Sequence, residues 1–191
     1  HHRVKNNLQV IYSLLNLQKR RTKNTESVDL ILALQNRIQT IAMVHNNLFQ
    51  SDEMEYVQLD SYVRTLVEHL QQMYAQEEMN PVQIHFEIQE SIKLRFERIG
   101  TLGLIINEIV SNAFKYAFSD TQAGILTIQV QLQDAQIRIV ISDNGPGKEA
   151  DLLNSGQLGL KLIGLMCTQM NATHTLRIEG GVIHQIIFNY E

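Results

Sequence analysis

A predicted helix that is apolar on most of its surface, but polar along one stripe, constrains this chain most. Within residues 98–117, Glu108, Asn112 and Lys115 are separated by four and three residues, so a helix places them on one face. Burying a carboxylate and an amide without partners would be unfavourable. The segment therefore predicts a cleft in which Glu108 and Asn112 hold a hard cation such as Mg²⁺, while Lys115 faces phosphate.

A second segment, Asp143-Asn-Gly-Pro-Gly147, follows a predicted strand. The Asp143 carboxylate is a suitable acceptor for the exocyclic amine of adenine, and Gly145 and Gly147 allow the backbone to approach a flat ring. An ordinary turn is the alternative, because Asp, Asn, Gly and Pro all favour turns. If this segment and the polar helix line one cleft, the expected ligand is magnesium-bound ATP.

A third segment, Gly156-Gln-Leu-Gly159-Leu-Lys161, opens another predicted helix. Glycines at a helix start expose backbone amides to an anion, so Gly156, Gly159 and Lys161 are candidate phosphate contacts. The chain contains no GxxxxGK[ST] motif, so a Walker loop is excluded.

The composition is that of a soluble globular protein, with 191 residues of which 44% are apolar. The single Cys167 cannot form an intrachain disulfide, which suits a reducing compartment such as the cytoplasm. No apolar run approaches the roughly 20 residues of a membrane span, and no signal-peptide pattern is present, although a membrane or sensory segment could precede His1. The net charge of −4 argues against nucleic-acid binding.

Apolar residues recur at spacings of three and four in two early stretches: Val4, Leu8, Ile11 and Leu15, and then Ile31, Leu34, Ile38, Ile41, His45 and Leu48. Both stretches predict amphipathic helices, joined by a polar turn over residues 22–27. One antiparallel hairpin cannot bury both stripes, whereas a second copy of the chain would bury them in a four-helix bundle. We therefore expect a homodimer formed through a domain of residues 1–53.

Residues 54–191 alternate between helix and strand patterns. Asp60 can cap a helix that ends near Tyr74, and Asn80-Pro81 interrupts the pattern. Alternating apolar residues predict strands over 82–88, 126–132, 137–141, 173–178 and 182–188, with helices over 98–117 and 158–170. This order predicts an α+β domain, a two-layer α/β sandwich with helices on one face of a mixed sheet.

The order of the three polar segments resembles the GHKL ATP-binding fold, in which they are the N, G1 and G2 boxes, over roughly residues 54–191. The resemblance implies that Asn112 coordinates Mg²⁺, that Asp143 binds adenine, and that Gly156 and Gly159 belong to a lid over the phosphates. Lys115 and Tyr116 complete the first box and are assigned to the nucleotide site. Glu108 falls where gyrase-like members keep a catalytic glutamate and many histidine kinases keep asparagine.

The first residues, His1-His2-Arg3-Val4-Lys5-Asn6-Asn7, resemble the phosphoacceptor motif of sensor histidine kinases of the HWE-like and second HisKA-type classes. In those families the histidine before Arg-Val-Lys-Asn accepts the phosphoryl group, which carries over to His2, with His1 as the other candidate. Neutral imidazole keeps a lone pair that can attack phosphorus at neutral pH. Four features depart from the common pattern. No acid follows His2, and Gln157 stands where many kinases have a glycine. The stretch between Gly147 and Gly156 is short, which implies a small lid, and Val182 stands where a threonine often helps to hold adenine.

The resemblance implies the core of a two-component sensor kinase. ATP phosphorylates His2, and the phosphoryl group passes to an aspartate on a response regulator, with the basic first helix and its partner helix as a possible docking surface. One alternative is a GHKL ATPase in which Glu108 activates water, and another is a degenerate kinase that acts as a dimeric scaffold. The remaining histidines are scattered singly along the chain and have no predicted role: His69, His85, His174 and His184.

Overall fold

The computed structural model describes residues 2–22, 24–48, 56–74, 82–118, 123–147 and 157–190. The chain divides into two compact units, His1–Glu55 and Tyr56–Glu191. The linker expected over residues 50–55 lies outside the described residues.

The first unit is a pair of helices, α1 (His2–Arg21) and α2 (Thr25–Leu48), that pack against each other. Their contact includes a polar seam, because the Gln35 side-chain amide donates to Asn16 Oδ1 at 2.8 Å. Gln35, Asn36 and Thr40 are all buried. The loop between the helices is shorter than expected, since α2 begins at Thr25.

The apolar stripes of α1 and α2 are only partly covered within one chain. Ile11 and Leu34, which belong to the two predicted stripes, are 44% and 37% exposed, and Val10, Leu14 and Leu17 are more than half exposed. This exposure agrees with the expectation that one hairpin cannot bury both stripes. The physical reason is that two helices cover only one flank of each other, so the opposite flank keeps its apolar side chains in solvent.

In its described residues, the second unit contains short and long strands and three α-helices. In chain order these are β1 (Tyr56–Gln58), α3 (Leu59–Tyr74), β2 (Gln83–Ile88), β3 (Lys93–Arg95), α4 (Phe96–Asn112), β4 (Ile125–Gln133), β5 (Gln136–Asp143), α5 (Gln157–Gln169), β6 (Thr173–Ile178) and β7 (Val182–Asn189). A π-helical turn, Ala113–Ala117, continues α4. The predicted hairpins β4–β5 and β6–β7 are confirmed.

Five strands form one mixed sheet in the order β2-β4-β5-β7-β6, in which only the β2–β4 pair is parallel. Alternate residues along β4 and β5 are buried, so one face of the sheet is covered, as the alternation of apolar residues predicts. The helices α3 and α4 also contribute many large, fully buried side chains to the core, namely Leu59, Leu66, Leu70, Ile99, Leu102, Ile105 and Ile106. The predicted α+β architecture is confirmed.

Arg98 joins the start of α4 to the end of the chain. Its guanidinium donates to the backbone carbonyls of Asn189 and, at 3.2 Å, Met170, and it lies 5.4 Å from the centre of the Phe188 ring. These contacts hold the N-terminal end of α4 against the last residues of β7 and the turn after α5. The opposite, C-terminal end of α4 carries the polar stripe.

Among the described residues, no helix is both long and apolar enough to cross a membrane.

Candidate functional site

The polar stripe lies where α4 passes into the π-helical turn. Glu108 is buried, Asn112 and Lys115 are half-buried, and Tyr116 is exposed. The regular helix ends at Asn112, and the wider turn that follows carries Lys115 and Tyr116. Single π-helical turns inside helices are rare and frequently mark functional sites, because they re-aim the side chains after them.

Aromatic side chains support this turn from the side of α3. The Phe114 ring stacks on the Tyr74 ring at a centroid distance of 5.7 Å, and Phe118 meets Phe114 edge-on at 5.9 Å. Lys115 Nζ lies 5.9 Å from the centre of the Tyr74 ring. The α3 end therefore holds the turn, and with it the Lys115 ammonium, in place.

The start of α5 approaches the polar stripe at Gly159. A Cβ atom on Gly159 would lie 3.4 Å from Glu108 Oε2 and 3.5 Å from Asn112 Nδ2. The carboxylate of Glu108 and the carboxamide of Asn112 therefore meet at one point on the backbone of α5. Lys161, two residues further along this helix, is exposed.

Asp143 ends β5 with its carboxylate fixed by two backbone amides. Oδ1 accepts from the Gly145 N–H at 2.9 Å and from the Val182 N–H at 3.3 Å. Burial raises the pKa of the Asp143 carboxyl above its ordinary value, and the two amide donors partly oppose that shift because they favour the charged form. Neither of these hydrogen bonds involves Oδ2.

The glycines after Asp143 sit where this loop touches two other elements. A Cβ on Gly145 would lie 2.5 Å from the Cβ of Ala117 in the π-helical turn. Gly147 has a φ of +56°, and a Cβ there would lie 2.8 Å from Ile178 Cγ2. Side chains at these positions would push the loop away, so glycine allows the loop to lie against the end of the polar helix.

The side chain of Asn144 has a structural role that the sequence did not predict. Its Oδ1 accepts from the Ile125 N–H at 2.7 Å, and its Nδ2 donates to the Ala123 carbonyl at 2.9 Å. These bonds tie the end of β5 to the start of β4, in continuation of the sheet.

The structure brings most of the predicted site residues to one end of α4. Gly145 touches the π-helical turn, Gly159 touches Glu108 and Asn112, and Asp143 precedes Gly145 by two residues. Gly156 lies outside the described residues. His2 is the first residue of α1 in the other unit, and its side chain lies outside the described part of the chain.

A carboxylate oxygen of Glu108 and the side-chain amide nitrogen of Asn112 lie beside Gly159. Among the described residues, no group of three or more His, Cys, Asp or Glu side chains could hold a metal ion by itself. Magnesium commonly takes one or two protein oxygens and completes its coordination with phosphates and water. The buried Glu108 carboxylate and the Asn112 carboxamide fit a metal that is shared with a bound nucleotide.

Two histidines thought to be isolated form a pair. His174 Nε2 and His184 Nδ1 are 3.0 Å apart, and their rings stack at a centroid distance of 5.2 Å. Burial lowers the pKa of His174, and burial together with the nearby His174 lowers the pKa of His184 to about 3. The interpretation of these residues as scattered singly is therefore wrong, because the β6–β7 register makes them diagonal neighbours on the buried face.

Comparison with known proteins identifies both units. A family model described as "Histidine kinase-like ATPase domain" matches residues 61–181, and one described as "Histidine kinase" matches residues 1–74. Sensor histidine kinase PdtaS of Mycolicibacterium smegmatis is 33% identical over 171 residues, which are 88% of this chain and 34% of that protein. The chain thus spans about a third of the length of this relative.

Two proteins of Erythrobacter litoralis are also similar. Blue-light-activated histidine kinase 2 is 21% identical over 169 residues, 85% of this chain and 47% of that protein. The solved histidine kinase domain of the EL346 blue-light activated histidine kinase shares the fold, with a TM-score of 0.73, 17% identity, and coverage of 96% of this chain and 94% of that one. The chain therefore belongs to the histidine kinase-like ATPase family, and its residues 1–74 match the histidine kinase family model.

Proposed function

We propose that this chain transfers the γ-phosphoryl group of ATP to His2 and then to an aspartate of a response regulator. The convergence of the three polar segments at the end of α4 carries this proposal. The proposal is supported by the fixed Asp143 carboxylate, by the Glu108 and Asn112 side chains beside Gly159, and by Lys115 in the turn that continues the same helix. The N-terminal helix α1 supplies the histidine in the same chain.

Asp143 is the proposed adenine contact. Its Oδ1 is occupied by the amides of Gly145 and Val182, which leaves Oδ2 for the exocyclic amine of the base. The glycines that follow would let the ring lie against the backbone of the loop.

Glu108, Asn112, Lys115, Gly159 and Lys161 are the proposed contacts of the phosphate end. Glu108 and Asn112 would share Mg²⁺ with the phosphates, and the bound metal neutralises charge on the phosphate oxygens. The half-buried Lys115 would add a positive charge on the same side, beside the exposed Tyr116. The backbone at Gly159 lies beside Glu108 and Asn112, so it would also lie near a phosphate bound by them.

The transfer itself needs little covalent chemistry from the protein. The lone pair of a neutral His2 nitrogen forms the new N–P bond, the bond from phosphorus to the bridging oxygen breaks, and ADP leaves with that electron pair. The proton on the other ring nitrogen is released to solvent as the phosphorylated ring becomes neutral. Alignment and charge neutralisation supply most of the acceleration in reactions of this kind.

The remaining parts of the proposal concern partners. The exposed apolar stripe of α1 is the proposed dimer contact, because a second copy would remove Val10, Leu14 and Leu17 from water. The basic last turn of α1, with Lys19, Arg20 and Arg21, is the proposed docking site for an acidic response-regulator surface. We place the reaction in the cytoplasm, where ATP and reduced cysteine coexist.

The test is incubation of the full chain with γ-labelled ATP and Mg²⁺, comparing the parent with His2→Gln, with His1→Gln as the matched control. We expect acid-labile, base-stable label on the parent and on His1→Gln, and none on His2→Gln. Asn112→Ala should also abolish labelling, because its oxygen is a proposed magnesium ligand.

Two results would contradict the proposal. Equal label on the parent and on His2→Gln would remove His2 as acceptor. Absence of label from every variant, with phosphate released equally by the parent and His2→Gln but not by Glu108→Gln, would instead support hydrolysis in which Glu108 activates water.

A further inference from the structure

The β6–β7 turn closes on the loop that carries Asp143, and it does so at a glycine. The strands β5 and β7 pair as far as Ser142 and Ile183. One residue further along, the Val182 N–H donates to the Asp143 side chain, and Gly181 lies over the Asp143 carbonyl. The turn and the loop therefore share one contact at the edge of the proposed adenine site.

Gly181 leaves no room for a side chain. A Cβ atom there would lie 1.8 Å from the Asp143 carbonyl oxygen and 3.2 Å from Asn144 Cα, both of them backbone. Its φ of +149° is also one that L side chains rarely adopt. Any larger residue would have to lift the turn from the loop, because backbone atoms cannot rotate away as a flexible side chain can.

The neighbouring Gly180 differs in one respect that matters. It also has a positive φ, +67°, but a Cβ placed on it would meet no atom within 4 Å. The two glycines therefore lie in one turn and both have a positive φ, but of the two only Gly181 contacts the Asp143 loop. Gly180 can serve as the matched control for substitutions of Gly181.

We propose that Gly181 is a positioning residue for the nucleotide: it lets the β6–β7 turn approach until the Val182 N–H holds the Asp143 carboxylate in one rotation. With the Gly145 N–H, this bond occupies Oδ1, and no hydrogen bond among the described residues uses Oδ2. This inference rests on the proposed function, since it assumes that Asp143 receives the adenine amine. Its consequence is that affinity for the base depends on a residue that does not touch the base.

The first experiment compares Gly181→Ala with Gly180→Ala in the full chain, by measuring KM and kcat for ATP in autophosphorylation. For Gly181→Ala we expect KM to rise about tenfold or more, the range for loss of a hydrogen bond to a charged group, with kcat at saturating ATP within about twofold. Gly180→Ala should leave both near the parent values. A fall in kcat with unchanged KM would indicate general misfolding and overturn the proposal.

Asp143→Asn provides a test that the effect passes through the carboxylate. In that background Gly181→Ala should raise KM no further, because the oriented acceptor is already lost. Equal losses in both backgrounds would overturn the proposal. Should Gly181→Ala fail to fold, Val182→Pro removes the N–H donor itself at the first residue of a strand, where proline is tolerated, and should raise KM in the same way.

A measurement without nucleotide separates this inference from the proposed function. NMR titration of the Asp143 carboxyl should give a higher pKa in Gly181→Ala than in the parent or in Gly180→Ala, because the charged form loses a donor. If Gly181→Ala raises this pKa but the parent chain does not bind ATP, the proposed function is wrong and the positioning role of Gly181 stands. If the parent binds ATP but Gly181→Ala leaves the pKa of Asp143 unchanged, the positioning role is wrong and the proposed function stands.

Discussion

Asp143 and Asn144 are neighbours in the chain, but their side chains make contacts of different kinds. Asp143 holds two amides of its own loop and of the β6–β7 turn, whereas Asn144 ties β5 to β4. The site therefore places a residue proposed for binding beside one that secures the sheet. Substitutions at the two positions should separate affinity from stability.

Asp143→Asn should weaken ATP binding by about 10- to 100-fold while leaving the melting temperature unchanged or higher. Asn keeps an oxygen for the two amides but turns an N–H donor toward the adenine amine. Because burial raises the pKa of Asp143, its charge is unfavourable to the fold at neutral pH, and removing that charge does not destabilise. Calorimetric titration and thermal melts would measure both effects.

The control is Asn144→Ala, which should lower the free energy of unfolding by about 1 kcal/mol or more because two hydrogen bonds are lost. A large loss of stability in Asp143→Asn, or no loss in Asn144→Ala, would contradict the assignment of Asp143 to binding and of Asn144 to stability.

Among individual site residues, the sequence could predict those that lie on a regular helix or strand. Glu108, Asn112 and Lys115 were chosen from helical spacing alone, and the structure brings Glu108 and Asn112 together beside Gly159, while Lys115 lies in the following π-helical turn. Gly181 and the His174–His184 pair depend on which strands are neighbours and in which register, which periodicity within one strand does not encode.

At the scale of elements, α3 and α4 pack through a close contact at Gly103. A Cβ on Gly103 would lie 1.8 Å from the Tyr62 hydroxyl oxygen, which is buried and has no hydrogen-bond partner among the described residues. Burial raises the pKa of Tyr62, so the hydroxyl stays neutral. The contact thus combines tight packing with an unsatisfied polar atom.

Gly103→Ala should lower the free energy of unfolding by about 1–3 kcal/mol, the usual range for overpacking. Tyr62→Phe should be neutral or stabilising by about 1 kcal/mol, because it removes the unsatisfied hydroxyl. The double variant should be more stable than Gly103→Ala alone. Chemical denaturation of all four proteins would test this, and strictly additive effects would show that the two positions do not touch.

The pairing of β6 with β7 should make stability depend on pH through His184. Its pKa is about 3 in the fold and about 6.5 when unfolded, so the unfolded chain binds more protons between these values. The stabilisation is therefore present above about pH 6.5 and is lost as the pH falls toward 3. It contributes at most about 1.4 kcal/mol per pH unit.

Replacing His184 by leucine should flatten the loss of unfolding free energy on acidification between pH 6.5 and 4. His85→Leu, at an exposed position of β2, is the control for loss of a histidine and should keep the parent slope. Urea titrations at several pH values would measure the dependence of the unfolding free energy on pH. If that dependence is the same in His184→Leu as in the parent, the His174–His184 pair is not its source.

Long elements were predictable from the sequence because each repeats its pattern over several turns or strand residues, as α1, α4 and the β4–β5 hairpin do. The strands β1 and β3 were missed. Each has three residues, too few for alternation to be recognised, and they pair with each other across α3 and β2 in the sequence. The π-helical turn was missed because its residues continue the helical pattern.

At the scale of the whole molecule, the exposed apolar stripe of α1 predicts self-association. Val10, Leu14 and Leu17 are 59%, 55% and 52% exposed at spacings of four and three. Leu14→Glu should shift the chain from dimer to monomer in sedimentation equilibrium, because a charge would enter the apolar contact. Gln18→Glu, exposed on the same helix, should remain dimeric. A monomeric parent would contradict the proposed bundle.

Locating the phosphoryl group on the chain would show directly whether His2 is the acceptor. The full chain would be incubated with ATP and Mg²⁺, kept at neutral to basic pH to preserve a phosphohistidine, and sequenced by peptide fragmentation. We expect one modified residue, His2, at the start of α1. Modification of a serine, threonine or any other histidine, or an unmodified chain that has consumed ATP, would contradict it.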